Sequence, residues 1–253
     1  MTALSTACCA RRWSLIARGL EVAIPFRAAF RACYRAQLLN VTLPGGVAGD
    51  VHRGYRHGRD TGALGRGLRS VVWDRGTGQA VQAALALAAV PLLPRALRGW
   101  APAVLVVVLA AAVVLLALAP ARRETMAALT GVWPQVLLLS AVAAAGHVAV
   151  FLVAARTAGV DASTPRLLAL GLVVLLVSAV PVSVAGWGPR EGAAAWAFGA
   201  AGLGAATGVE VAVVYGVMAL VATLPGLAAL RPEAAALLVP RAVGTPTAED
   251  GHG

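Results

Sequence analysis

Long apolar runs, separated by short polar stretches, make up most of the chain. Four windows contain no Asp, Glu, Lys or Arg: residues 101–119, 135–155, 167–185 and 211–230. Each approaches the ~20 residues that an α-helix needs to cross the hydrocarbon core of a bilayer. Two shorter apolar runs, residues 80–94 and 193–209, predict further spans or a re-entrant piece. The pattern therefore predicts an all-α, polytopic transmembrane helical bundle, with about six spans within residues 70–230.

One short pattern interrupts this apolar sequence twice. The pattern P-x-x-V-A-G-x-x-x-R occupies residues 44–53 and again residues 181–190. Proline removes a backbone hydrogen-bond donor and glycine adopts conformations that a helix excludes, so each copy is expected to break a helix. Paired broken segments in two halves of a membrane protein are typical of transporter-type sites. We therefore predict two pseudo-symmetric broken or re-entrant segments. The predicted breaks are Pro44, Gly45, Gly46, Gly49, Pro181, Gly186 and Gly188.

The N-terminal region differs from the rest in carrying regularly spaced arginines. Residues 1–10 are apolar and stop at Arg11-Arg12, as the last turns of a spanning helix would. Residues 11–40 then predict an amphipathic segment lying in the membrane interface, with a helix over residues 14–38, because Arg27, Arg31 and Arg35 follow each other at four-residue intervals. The whole of residues 1–230 is expected to form one transmembrane domain. Residues 231–253 are polar and proline-containing, and they predict a disordered tail.

Composition and charge place the protein in a membrane. Hydrophobic residues make up 59% of the chain and charged residues only 13%, whereas soluble domains carry about 25% charged residues. All 21 basic residues are arginine, and twelve of them lie within residues 1–75. This bias predicts a multi-pass protein of the plasma membrane with the arginine-rich stretch 53–75 on the cytoplasmic side. No zinc-finger, helix-turn-helix or aromatic RNA-binding pattern is present, so nucleic acid is not an expected partner.

The candidate binding residues lie in the two motif copies. Arg53 and Arg190 each follow a glycine by four residues near an expected helix start, a combination suited to holding a phosphate. Glu191 and Asp50 are their acidic neighbours. A local Arg190–Glu191 ion pair is an equally open interpretation, and Asp50 is expected to act as a helix cap or arginine partner rather than in proton coupling.

The remaining polar residues near the spans have plainer interpretations. Asn40 and Ser183 are expected to bind backbone groups freed by the breaks, with direct ligand contact as the alternative. His147 predicts a hydrogen bond between helices rather than a proton relay. His52 and His57 are five residues apart and point to different helix faces, so no metal site is predicted. No catalytic constellation and no cofactor motif occurs, which favours a protein that is not an enzyme.

At the two motifs the chain resembles the membrane region of lysylphosphatidylglycerol synthase and its stand-alone, flippase-like relatives. The first half matches through residues 37–53 and through Asp74-Arg75 with Gly78 in the next helix. The second half matches in a longer pattern, P-x-S-x-x-G-x-G-x-R-E-G, at residues 181–192. Family members have further spans before the first motif, so we expect this chain to be N-terminally truncated. The lysyl-transferring synthases also carry a large soluble domain that has no counterpart in this sequence.

The resemblance implies a membrane domain that handles lipids. The leading hypothesis is binding and translocation of an anionic phospholipid or a polyprenyl-phosphate-linked lipid. Two alternatives stay open: a membrane-embedded transferase acting on lipid-linked sugars, and a non-catalytic membrane partner of a cell-envelope enzyme. The scarcity of acidic residues near the spans disfavours the transferase, because that chemistry needs carboxylates beyond Asp50, Asp74 and Glu191.

Overall fold

The computed structural model of this chain describes residues 2–99, 126, 129–178 and 188–230. Regular structure within these ranges is helical throughout, as the sequence predicted. The helices are α1 (Thr2–Gly19), α2 (Phe26–Thr42), α3 (Ala48–Asp60), α4 (Leu64–Ala88), a 3-10 turn (Val90–Leu92), α5 (Arg95–Arg98), α6 (Trp133–Thr157), α7 (Thr164–Val177), α8 (Pro189–Ala200) and α9 (Ala205–Thr223).

Two of the described helices, α6 and α9, are long and apolar enough to cross a membrane. The apolar helix α7 has 14 residues, and the apolar run at 101–119 lies outside the described residues. The apolar run at 80–94 is not a helix of its own, since its first part is the end of the longer helix α4, which begins at Leu64 and ends at Ala88. The run 193–209 is not one span, since it is divided between α8 and α9.

The N-terminal segment also differs from its prediction. Helix α1 does not stop at Arg11-Arg12 but continues to Gly19, and residues 20–25 separate it from α2. The segment 11–40 is therefore not one continuous helix, and its position in the membrane interface stays a prediction. Trp13 and Ile16 of α1 are fully buried because they pack against α2, α4 and the start of α6. Arg35 of α2 is buried too, so only part of the arginine series lies at the surface.

Two apolar cores hold the helices together. The first is built around Trp13 and Ile16, where α1, α2, α4 and α6 meet. The second is larger and is centred on Phe151 of α6 and Phe198 of α8, whose ring centroids are 6.3 Å apart. Helices α7 and α9 complete this second core. Because α4 and α6 contribute to both cores, the two halves are joined rather than separate.

Glycines shape the turns and crossings of the second core. Gly202 and Gly204 adopt positive φ values of 72° and 92°, which reverse the chain between α8 and α9. Gly208 then lies against the backbone carbonyl of Ala194 and the Cβ atom of Phe198, leaving no room for a side chain. The two helices therefore pack closely along their length, as small residues permit.

Both predicted breaks coincide with helix boundaries where the structure describes them. Gly45 and Gly46 have φ values of 90° and 65° in the loop between α2 and α3. Gly188 has a φ of 116° directly before Pro189, the first residue of α8. Gly49, however, is a helical residue of α3 and lies against the Ala36 carbonyl of α2, so it permits close approach rather than a break. Pro44 lies in the same loop as Gly45 and Gly46. The predicted breaks Pro181 and Gly186 and the predicted site residue Ser183 lie outside the described residues.

Candidate functional site

A cavity of about 360 Å³ lies between the two cores. Helices α1 to α4 line one side of it, and α6 to α9 line the other. Four of the sequence-predicted site residues reach its wall: Asn40, Asp50, Arg53 and Arg190. The two motif copies, which are far apart in the sequence, therefore meet at one cavity. Glu191 is not among the lining residues and instead holds Arg190.

Asp50 organises the first side of the cavity. Its Oδ1 atom accepts a hydrogen bond of 2.9 Å from Nε of Arg53, and its Oδ2 atom accepts one of 2.7 Å from Nδ2 of Asn40. Nε and Nη2 of Arg75 also donate to Oδ2. Burial alone would raise the pKa of the Asp50 carboxyl, but the charges of Arg53 and Arg75 with the hydrogen bonds from Arg75 and Asn40 hold this pKa below its ordinary value. Asp50 is therefore an arginine partner and not the helix cap, which is Val47.

Asn40 links the break to this carboxylate. Its Oδ1 atom accepts a hydrogen bond of 2.8 Å from the backbone N–H of Gly49, one of the unpaired donors in the first turn of α3. Its Nδ2 atom donates to Asp50 at the same time. The prediction that Asn40 binds a backbone group freed by the break is thus confirmed.

A second carboxylate, Asp74, ties α4 to two other helices. Its Oδ1 atom accepts a 2.7 Å hydrogen bond from Nε of Arg12 in α1, and its Oδ2 atom accepts one of 2.7 Å from Nη2 of Arg53 in α3. Arg12 also donates from Nη1 to the Ser140 hydroxyl of α6 over 2.9 Å. Both arginines are buried, so each depends on Asp74 for compensation of its charge.

Arg53 is enclosed on every side. Its guanidinium lies over the Trp13 indole, with Cζ 4.7 Å from the ring centroid. Its Nη1 atom donates to the Cys33 sulfur over 3.4 Å. Only 4% of the side chain is exposed. Arg53 thus connects α1, α2, α3 and α4 into one polar network beneath the cavity wall.

The opposite side of the cavity contains the second motif arginine. Nε and Nη2 of Arg190 donate to Oε1 of Glu191 over 2.9 and 2.6 Å, so the local pair inferred from the sequence is present. Oε2 of Glu191 accepts a 2.6 Å hydrogen bond from the backbone N–H of Gly188, which closes the start of α8. The guanidinium of Arg190 lies 5.6 Å from the ring centroid of Tyr215. His147 of α6 is 3.2 Å from the Tyr215 hydroxyl of α9, which confirms a hydrogen bond between helices.

The two motif copies are alike at their acids and differ at their arginines. Asp50 and Glu191 are each the third residue of their helix, where the helix dipole favours a negative charge. Arg53 is the sixth residue of α3, whereas Arg190 is the second residue of α8. Both arginines follow the motif glycine by four residues, yet Arg53 lines the cavity from the second turn of its helix and Arg190 from the first. Pseudo-symmetry of the two whole segments stays a prediction.

The cavity carries an excess of positive charge. Four arginines line it, Arg12, Arg53, Arg75 and Arg190, against two aspartates. Glu191 beside Arg190 adds a third negative charge, and His147 is taken as neutral. The site therefore has a net charge of +1. Within the described ranges, no group of three or more His, Cys, Asp or Glu side chains is placed to bind a metal ion. The excess of positive charge therefore suits an anion.

Sequence reasoning assigned no site role to several residues of this wall, although Arg75 and Gly78 formed part of the family resemblance and their spacing was visible. Arg75, Gly78, Gln79 and Gln82 follow the i, i+3, i+4, i+7 pattern and share one face of α4 toward the cavity. Arg12 was interpreted as the end of a span because two adjacent arginines resemble a membrane boundary. A search for polar stripes within weakly apolar helices would have found the face on α4.

Within the described residues, the fold and cavity define a helical protein with a charged site between its helices. The sequence model of the family described as lysylphosphatidylglycerol synthase TM region matches residues 1–226 of the chain. The chain therefore belongs to this family, as its motifs indicated, and is a membrane protein related to lipid handling. Neither the curated proteins nor the solved structures compared with the chain give a match.

Proposed function

We propose that this protein binds an anionic phospholipid or polyprenyl-phosphate-linked lipid through its headgroup and moves it across the plasma membrane. The observation that carries the proposal is the meeting of Arg53 and Arg190, from the two halves of the chain, at one cavity. Arginine is planar and can present two donors to phosphate oxygens, which makes it the preferred side chain for such a group.

The size of the cavity is consistent with a headgroup site. A volume of about 360 Å³ is near the lower end of the ~300–1,000 Å³ that ligand pockets occupy. Apolar side chains, including Val150, Leu175 and Ala219, line it beside the charged groups. A polar headgroup can therefore be held among the arginines while the acyl or prenyl chains stay with the apolar surface.

Transport is the step to be tested first. Purified protein would be reconstituted into vesicles containing tail-labelled phosphatidylglycerol, and dithionite quenching would report how fast the label reaches the outer leaflet. Arg53→Lys and Arg190→Lys are each expected to slow this movement, because a lysine ammonium cannot reproduce the several directed donors with which each guanidinium shapes the cavity wall. The matched control is Arg59→Lys, an exposed position on α3 that does not line the cavity.

The result that would overturn translocation is a wild-type rate equal to that of protein-free vesicles. Adding a radiolabelled lipid-linked sugar to the same vesicles distinguishes a transferase from a translocating protein, since only a transferase would form product. Lipid movement without product formation supports the proposal. A protein that neither moves lipid nor forms product, but is retained with a cell-envelope enzyme on purification, would instead be a membrane partner of that enzyme.

A further inference from the structure

The arginines of the cavity are not equally available to a ligand. All three guanidinium nitrogens of Arg53 already have protein partners: Nε has Asp50, Nη2 has Asp74 and Nη1 has Cys33. Its charge is further enclosed by the Trp13 ring. Turning this side chain toward a ligand would break two buried ion pairs, a change that strongly destabilises a protein.

Arg75 of α4 has the opposite character. Its Nε and Nη2 atoms both donate to Oδ2 of Asp50, so the carboxylate fixes one side of the guanidinium. Within the described residues its Nη1 atom makes no protein hydrogen bond, and 39% of the side chain is exposed where it lines the cavity. Arg75 is thus oriented by Asp50 and still presents donors to an incoming anion.

An independent feature lies one turn further along the same face of α4. Oε1 of Gln79 is buried yet accepts no hydrogen bond within the described structure. Gln79 lines the same cavity, with Gln82 on the next turn. A buried acceptor left without a partner costs free energy, and bound ligand or water is the usual explanation. The face of α4 therefore combines an open cationic donor, suited to a phosphate oxygen, with an unmet acceptor, suited to a hydroxyl group of the same headgroup.

We infer that Arg75 is the residue that contacts the phosphate of the ligand, and that Arg53 is a positioning residue acting through Asp50. The inference rests on the proposed function and assigns different roles to arginines that the motif alone would treat alike. The chemical class of the ligand is a phosphate ester, carried by a lipid headgroup or supplied as free phosphate. Asp50 connects the two roles, because one oxygen binds Arg53 and the other binds Arg75.

The test compares affinity with stability in the same variants. Binding of tail-labelled phosphatidylglycerol to the detergent-purified full-length chain would be titrated. Phosphatidylcholine, which is zwitterionic and has no net charge, is the comparison lipid. Arg75→Gln is expected to weaken phosphatidylglycerol binding about ten- to hundred-fold, the range for losing a hydrogen bond to a charged group. Its unfolding temperature should stay near that of the wild type, since Asp50 keeps Arg53 and Asn40 as partners. Arg59→Gln removes the same charge from an exposed position and should bind like the wild type.

Arg53→Lys distinguishes the positioning role. It should lower the unfolding temperature together with affinity, whereas Arg75→Lys should lower affinity with little change in unfolding. Unchanged phosphatidylglycerol affinity in Arg75→Gln, while the wild type prefers this lipid to phosphatidylcholine, would overturn the assignment of Arg75. A wild-type protein without that preference would instead overturn the proposed function. Inorganic phosphate is titrated separately. If the wild type binds it and Arg75→Gln does not, Arg75 also contacts free phosphate. If the wild type binds only the lipid, the phosphate that Arg75 contacts is that of the lipid headgroup.

Discussion

Arg12 and Asp74, 62 residues apart, are joined by a 2.7 Å hydrogen bond between Nε and Oδ1 with both side chains buried. The bond fixes α1 against α4 beneath the cavity wall. Because Oδ2 of Asp74 serves Arg53 in the same way, this single carboxylate compensates two buried cations. The stability of the charged side of the cavity is therefore expected to depend on Asp74 more than on any other acid described.

Asp74→Asn tests this dependence. The substitution keeps the shape of the side chain but removes its charge, which leaves Arg12 without a carboxylate partner and Arg53 with only Asp50. Breaking a buried ion pair costs about 3–5 kcal/mol, and thermal unfolding of the purified protein would measure the loss. The matched control is Asp60→Asn at the exposed end of α3, whose 4.0 Å pair with Arg56 should be worth about 0–1 kcal/mol. Equal small effects of both substitutions would contradict the central role of Asp74.

Close packing of α8 on α9 is tested by two glycine substitutions. Gly208→Ala places a methyl group against the Ala194 carbonyl, so the helices must separate, at a cost of about 1–3 kcal/mol. Gly192→Ala meets no atom within 4 Å and lies within a helix, so it should be neutral or stabilising by about 0.5–1 kcal/mol. Unfolding in detergent, followed by tryptophan fluorescence, would compare the two. A neutral Gly208→Ala would show that the approach of α8 to α9 is looser than described.

The contact between His147 and Tyr215 is tested by a double-mutant cycle. Tyr215→Phe removes the hydroxyl and preserves the ring that packs 6.2 Å from Phe151, centroid to centroid. His147→Ala removes the other partner, and the double variant completes the cycle. The expected coupling is about 0.6 kcal/mol and at most about 1.7 kcal/mol, the range measured for hydrogen bonds between membrane helices. Strictly additive effects on the free energy of unfolding would mean that the two groups do not interact.

The membrane orientation of the arginine-rich stretch 53–75 is also testable. In a variant with Cys8, Cys9 and Cys33 replaced by serine, Arg59→Cys introduces one thiol at an exposed position. We expect a membrane-impermeant maleimide to leave this thiol unlabelled in intact cells, because the charge bias predicts a cytoplasmic location. Labelling after permeabilisation is the positive control. Ready labelling of intact cells would place the stretch on the outer side.

The sequence by itself determined the helical membrane class, the family and the places where helices start near the motifs. Apolar runs, proline and glycine act locally: each changes the backbone or its solvation within a few residues, so they can be interpreted without knowing what lies nearby. For the same reason the roles expected for Asn40, as a partner of the backbone at the first break, and for Glu191, as a partner of Arg190, agree with the structure.

Only the tertiary structure decided how the arginines are used. Arg12, Arg53 and Arg75 have the same side chain and charge, so their roles depend on the carboxylate that each one contacts. Arg12 and Arg53 contact Asp74, which is 62 and 21 residues away, and Arg75 contacts Asp50, which is 25 residues away. Burial of Arg12 in α1 could not be predicted, because its partners Asp74 and Ser140 come from two other helices. Electrostatic compensation acts through space rather than along the chain, so helix packing alone separates an enclosed positioning arginine from one that is open to a ligand.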